Sequence, residues 1–186
     1  MAITTLPASP AGELSHLDVR NKINTVIDRV NNIQTGWATY ADTQYPNAGS
    51  PFSVLANTDT ILPNNKGSLN ESQKPEHVTT FYTGSVITGR NGDNLDIMIY
   101  FKAVPSQANQ FMDIWIDIGS PVGELYRQTY SFPRGAGVER GILYALPSAY
   151  TLNTWEANGG TVYVNSNHDL DVYGINFNFD LSHKAI

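Results

Sequence analysis

Ile175-Asn-Phe-Asn-Phe-Asp-Leu181 alternates apolar and polar residues without a break. A strand here turns Ile175, Phe177, Phe179 and Leu181 to one face and the Asn and Asp side chains to the other. The same period recurs toward the N-terminus. Leu95-Asp-Ile-Met-Ile-Tyr-Phe-Lys-Ala103 gathers Leu95, Ile97, Ile99 and Phe101 on one face. In Phe111–Ile118, Met112, Ile114, Ile116 and Ile118 share a face, with Asp113, Trp115 and Asp117 opposite. Period and punctuation by Gly, Pro, Asn and Asp predict strands at His77–Thr83, Leu95–Ala103, Phe111–Ile118, Glu124–Phe132, Val138–Leu146, Thr161–Val164 and Leu170–Leu181. Gly135-Ala-Gly137 reads as a hairpin turn between two of them. Phe52-Ser-Val-Leu-Ala and Asp59-Thr-Ile-Leu add short candidates within a segment, 37–76, that is otherwise turn chemistry. So many half-apolar strands expect two antiparallel sheets packed face to face, a mainly β fold of jelly-roll type.

One segment has a different period. Over 14–37, His16, Val19, Ile23, Val26, Val30, Ile33 and Trp37 recur at steps of three and four, a heptad seam on a helix. Ser15 with Asp18 reads as a variant capping box, Asp18 and Lys22 as an i,i+4 pair, and Gly36 as the terminating glycine. β-branched residues at both seam positions shift a parallel coiled coil from two strands toward three. These seven residues are the expected oligomer interface of a homotrimer. Ile27 widens the apolar stripe, which keeps open a helix packed on its own domain. The division that follows is an extended arm over 1–12, a heptad helix over 13–37 and a sandwich over 38–186. A chain starting near Thr43 is expected to fold without the rest.

The chain has 186 residues and no cysteine, which excludes a disulfide framework, thiolate metal ligands and a cysteine nucleophile. Net charge is −6, and no basic stripe runs along any segment, so nucleic acid is not an expected partner. No apolar run is long enough to span a membrane. Met1 to Pro10 holds neither a basic residue nor a continuous apolar stretch, so no signal peptide is expected and synthesis in a cytoplasm is. Charged residues are only 15%, and 18 Asn supply much of the remaining polarity, as suits strands and turns.

Catalytic chemistry is hard to place. There is no nucleophile elbow and no paired-histidine zinc motif, and His16, His77, His168 and His183 are scattered. Asn167-His-Asp-Leu-Asp171 is the densest set of oxygen ligands, a calcium candidate that reads more simply as a polar loop. Glu124, Glu139 and Glu156 have no spacing that selects a glycosidase pair. Neither an enzyme nor a cofactor is expected. Trp115 and Trp155 could form a sugar-stacking platform or pack between sheets or subunits. Trp115, flanked by Asp113 and Asp117, is the one expected to be exposed, as a glycan or inter-subunit contact.

The order of arm, β-branched helix and jelly roll resembles the small trimeric virion proteins of tailed bacteriophages. These are capsid decoration (cement) proteins and head or tail fibres, whose tips resemble tumour-necrosis-factor-like trimers. The Val19–Ile33 seam, the Arg90-Asn-Gly-Asp-Asn-Leu95 turn and the closing Val172–Leu181 strand carry the resemblance. It implies a non-enzymatic structural trimer on a virion, made in the host cytoplasm, that stabilises the shell by binding it once assembled. The major capsid protein or another virion protein would be its partner, reached through Ile3, Leu6, Pro7 and Pro10 of the arm. The alternative it implies is a tail-fibre tip or receptor- or glycan-binding module.

Overall fold

A computed structural model describes residues 14–32, 35–121 and 123–184. Helix α1 (Leu14–Asn32) leads into β1 (Gly36–Ala41), β2 (Phe52–Val54), β3 (Thr60–Ile61) and β4 (Ser68–Gln73). Then come β5 (Tyr82–Thr83), β6 (Val86–Ile87), β7 (Asp93–Pro105), β8 (Gln110–Asp117), β9 (Glu124–Phe132) and β10 (Arg140–Thr151). A short helix α2 (Asn153–Asn158) precedes β11 (Gly160–Ser166) and β12 (Leu170–Lys184).

Two antiparallel sheets result. One runs β10-β7-β12-β1-β4, with β2 continuing the line of β1 along the same edge of β12. The other runs β5-β6-β11-β8-β9, with β3 also on β11. Successive strands often lie in different sheets, the Greek-key connectivity of a jelly roll. The core is where period-two faces meet. Ile97, Ile99 and Phe101 of β7, and Phe177, Phe179 and Leu181 of β12, are buried against Met112, Ile114 and Ile116 of β8 and Val162 and Val164 of β11. Each such side chain contributes roughly 1.5–3 kcal/mol by leaving water.

Several sequence expectations change here. The helix stops at Asn32, not at 37, and Gly36 and Trp37 open β1. Strand pairing wins over the heptad: Gly36 to Ala41 pair with Leu181 to Asn176, and Ala38 and Tyr40 enter the core. The sandwich therefore begins before residue 38, and a chain starting at Thr43 lacks a strand from inside its larger sheet. The expected strand at His77–Thr83 is mostly irregular, with only Tyr82–Thr83 paired. Adjacent Phe81 and Tyr82 are both buried there, which a period-two strand does not allow. β10 runs through Pro147 because a bulge between Leu146 and Ala149 absorbs it, with the Ser148 amide donating to Asp96 Oδ1 at 2.7 Å. Gly135-Ala-Gly137 is not a hairpin turn: it crosses from β9 in one sheet to β10 in the other. The arm over 1–12, with Ile3, Leu6, Pro7 and Pro10, lies outside the described residues, as do Ile33 and the side chains of Ser15, His16 and Asp18.

Candidate self-association surface

Helix α1 presents the seam outward. Val19, Ile23, Val26 and Val30 are between 42% and 58% exposed, so these four are not packed on their own sandwich. Ile27, which widens the stripe, is half-buried. Leaving four β-branched residues in water on one stripe is unfavourable unless another surface covers them.

A second apolar patch lies on the outside of the larger sheet, which sequence reading missed. Met98 and Tyr100 of β7 and Leu143 of β10 are between 40% and 54% exposed. Leu143 stands opposite Tyr100, and Ala145 opposite Met98. Across β7, Tyr100 faces Asn176 and Met98 faces Asn178. Beyond β12, Thr39 faces Asn178 and donates through Oγ1 to Asn176 Oδ1 at 3.0 Å. Exposed Trp37 lies on the same face opposite Asp180, at the end of β1 nearest the helix. The patch is thus neutral in its middle, and Trp37 stands apart from it in the row of Asp96 and Asp180. Its sequence signal was apolar residues on both faces of one strand: Met98 and Tyr100 sit where a solvated face would carry polar groups.

Charged groups bound the patch. At one end Lys102 Nζ meets Glu139 Oε1 at 2.9 Å, while the Tyr173 hydroxyl donates to the other carboxylate oxygen. That hydroxyl, and then Lys102, hold the Glu139 carboxyl below its ordinary value, and Glu139 holds Lys102 above its own. At the other end Asp96 and Asp180 are cross-strand neighbours. Burial, then the Asp96 charge, raises Asp180.

The smaller sheet's outer face is closed rather than open. Trp115 is only 3% exposed, contrary to expectation. Its indole stacks on Tyr163 at 5.7 Å and 13°, and the Arg127 guanidinium covers it 4.6 Å from the ring centroid. A register shift between Ile114 and Ile116, with Tyr126 at φ 57°, puts two β9 residues opposite Trp115 and aims Arg127 over it. Arg127 is held there by Asp113 at 2.9 Å and Glu124 at 2.6 Å. Asp113 also accepts from Thr129 Oγ1 at 2.5 Å, while Asp117 accepts from the Gly119 amide at 2.7 Å. A sugar cannot stack on an indole already sandwiched. Trp155 is likewise buried, its Nε1 donating to Ile87 O at 3.0 Å.

The remaining candidates are occupied by structural bonds. Asp169 accepts from the Ala56 amide, Asp171 from Ser53 Oγ and Asn167 from the Phe111 amide. Asn167 and Asp169 tether the loop before β12 to its neighbours, and Asp171 ties the start of β12 to β2. Glu124 and Glu139 are tied to cations, as above. Among the described residues no group of three His, Asp or Glu side chains could hold a metal ion, and no helix is long and apolar enough to cross a membrane.

No family model matches the chain, and no curated protein matches it. Among solved structures it is similar to the Eiger TNF of S. frugiperda, with 8% identity over 83% of this chain and 95% of that one, at a TM-score of 0.50. The vertex protein P5 of PRD1 follows at 11% identity, with 81% and 73% of the chains covered and a TM-score of 0.42. The naturally occurring empty particle (top component) of cowpea mosaic virus gives 10% identity, 82% coverage of each chain and a TM-score of 0.27. With the strand order above, the first of these likenesses shows the fold: a jelly-roll β-sandwich like that of a tumour necrosis factor.

Proposed function

We propose that this protein is a non-enzymatic structural component of a virion, a homotrimer that decorates or projects from a phage capsid and stabilises it. The observation that carries the reading is the uncovered β-branched seam of Val19, Ile23, Val26 and Val30 on a helix that leads directly into a jelly roll. Three copies of that helix bury the seam around a common axis. The neutral face of Met98, Tyr100 and Leu143 is a second uncovered apolar surface, and the trimer buries it as well. Residues 1–12, with Ile3, Leu6, Pro7 and Pro10, attach the trimer to the major capsid protein or another virion protein. A protein that binds the assembled shell and not its free subunits shifts the equilibrium toward assembly by mass action. The virion assignment rests on the order of arm, seam helix and sandwich, and the trimer on the seam.

Mixing the purified protein with particles that lack it tests attachment. Co-sedimentation with those particles, lost on deleting residues 2–12 while the trimer persists, is the expected result. Undiminished co-sedimentation of the deleted protein would remove the arm from the account.

A further inference from the structure

β9 and β10 are terminal strands of their two sheets, and they lie side by side without a backbone ladder between them. Side chains take the ladder's place. The Tyr130 hydroxyl donates to Leu143 O at 2.6 Å and shares its proton with Gln128 Oε1 at 2.8 Å, while Gln128 Nε2 donates to Ala145 O at 3.2 Å. In the other direction the Tyr144 hydroxyl donates to Tyr126 O at 2.9 Å, and Arg140 Nη1 donates to Ser131 O. The contacts run in antiparallel step, Gln128 with Ala145 and Tyr130 with Leu143, like a hairpin whose rungs are side chains. Leu143 and Ala145 are two apart on β10, so their carbonyls are successive acceptors on the edge turned away from β7. An added strand would use those same groups. Both strands carry further obstacles to addition. Pro147 sits in the β10 bulge, and the β9 irregularity brings Tyr126 at φ 57° and an exposed Arg127.

We infer that these side-chain rungs are an autoinhibitory contact: β9 occupies the edge of β10 so that a second copy cannot add a strand there. Satisfying the carbonyls does not by itself require the rungs. The bond to Leu143 O is at the exposed surface, where water would serve that oxygen equally well. What Tyr130 and Gln128 add is occupancy, because an extended segment has to displace two bonds before it gains its first. The excluded occupant is a strand of the same chain. Copies gathered by a helix stand at high effective concentration, where edge-to-edge addition would otherwise be fastest. The inference does not depend on the virion reading, and a monomer needs the same guard.

The test compares the full-length protein with Gln128→Leu/Tyr130→Phe, which keeps bulk and removes the rungs to Leu143 and Ala145. The variant is expected to keep its β-type circular dichroism and to form species larger than the unaltered protein does. They should appear at about a tenth of the concentration or less, because a freed acceptor that gains a new bond is worth up to about tenfold. Hydrogen exchange within those species should slow at the Leu143 and Ala145 amides. If the double variant does not melt cooperatively, Gln128→Leu alone removes one rung and is read the same way. A folded variant that matches the unaltered protein in mass at every concentration overturns the inference. So does growth that begins only once the circular dichroism signal is lost, or growth that leaves those two amides exchanging freely.

Discussion

Leu143 and Tyr100 face each other across the β10–β7 ladder on the outer side of the larger sheet, both exposed. Gly141, the next outward residue of β10, leaves room for the Tyr100 ring: an added Cβ would meet the Tyr100 hydroxyl oxygen at 3.2 Å. An aromatic–aliphatic pair of this kind on a solvated face is poorly placed unless another surface covers it. The proposed trimer covers it.

Leu143→Lys is expected to break the trimer without unfolding the subunit. The side chain makes no core contact, so its replacement leaves the sandwich intact, but it brings three positive charges toward one axis. Light scattering should give single chains with an unchanged β-type circular dichroism spectrum. A trimer as tight as the unaltered one would exclude this face from the interface.

Where the chain can be cut is set by β1. Starting at Thr35 retains β1 and should give a folded sandwich; starting at Thr43 removes Ala38 and Tyr40 from the core and should not melt cooperatively. Equal melting temperatures for the two would contradict the placement of β1 between β12 and β4.

Trp115→Ala should cost about 3 kcal/mol, as loss of a buried indole does. Melting is expected to fall by roughly 10 °C for a chain of this length. Arg127→Met keeps the covering stem but loses the cation contact together with the ion pairs to Asp113 and Glu124, about 1–2 kcal/mol in all. Particle attachment should survive in both. A Trp115→Ala protein that melts normally but no longer attaches would move Trp115 from scaffold to binding surface.

Alkaline pH should destabilise the fold through buried tyrosines. Tyr40 and Tyr82 are each pushed up to about 12, chiefly by burial, and Tyr144 is raised by burial as well. A raised folded value means the contribution is complete below the unfolded value near 10 and lost as pH rises toward 12. It amounts to roughly 3 kcal/mol at most for a shift of two units. Ultraviolet titration should show surface tyrosines ionising first and these three only as the circular dichroism signal collapses. Ionisation of all ten together in a folded protein would contradict it.

Acid acts on a neighbouring group. Burial alone would raise the Glu71 carboxyl, but Oε1 accepts from Tyr40 at 2.5 Å and from Thr80 at 2.7 Å, and these bonds together with the Lys74 and Lys66 charges hold it below the ordinary value. Stability from a depressed carboxyl is present above its unfolded value near 4.5 and lost as pH falls through the lower folded one. Glu71→Gln should therefore melt lower at neutral pH and lose less on acidification. Parallel acid curves for the two proteins would remove Glu71 from the acid response.

The inward faces were legible because period two is a direct consequence of strand geometry. Ile97 to Phe101, Met112 to Ile116 and Ile175 to Leu181 are all buried as read. Where two signals competed, the sequence was ambiguous. Trp37 fits a heptad position, and only pairing with Asp180 of a strand over a hundred residues away places it in β1. Trp115 sits between two aspartates, as an exposed residue would, yet one of them, Asp113, with Glu124, holds Arg127 over the ring and so buries it. The outer patch was hidden for a related reason: Met98 and Leu143 lie on different strands, and their proximity is a property of the β7–β10 register.

Oligomeric mass tests the central claim most directly, that the α1 seam assembles the protein. Light scattering behind size exclusion on the full chain at micromolar concentration should report three chains. Val26→Asp with Val30→Asp should report one, with the sandwich still folded, because charge on an exposed helix face disrupts association and not the core. A monomer from the unaltered chain, or a trimer that survives both aspartates, would contradict the account.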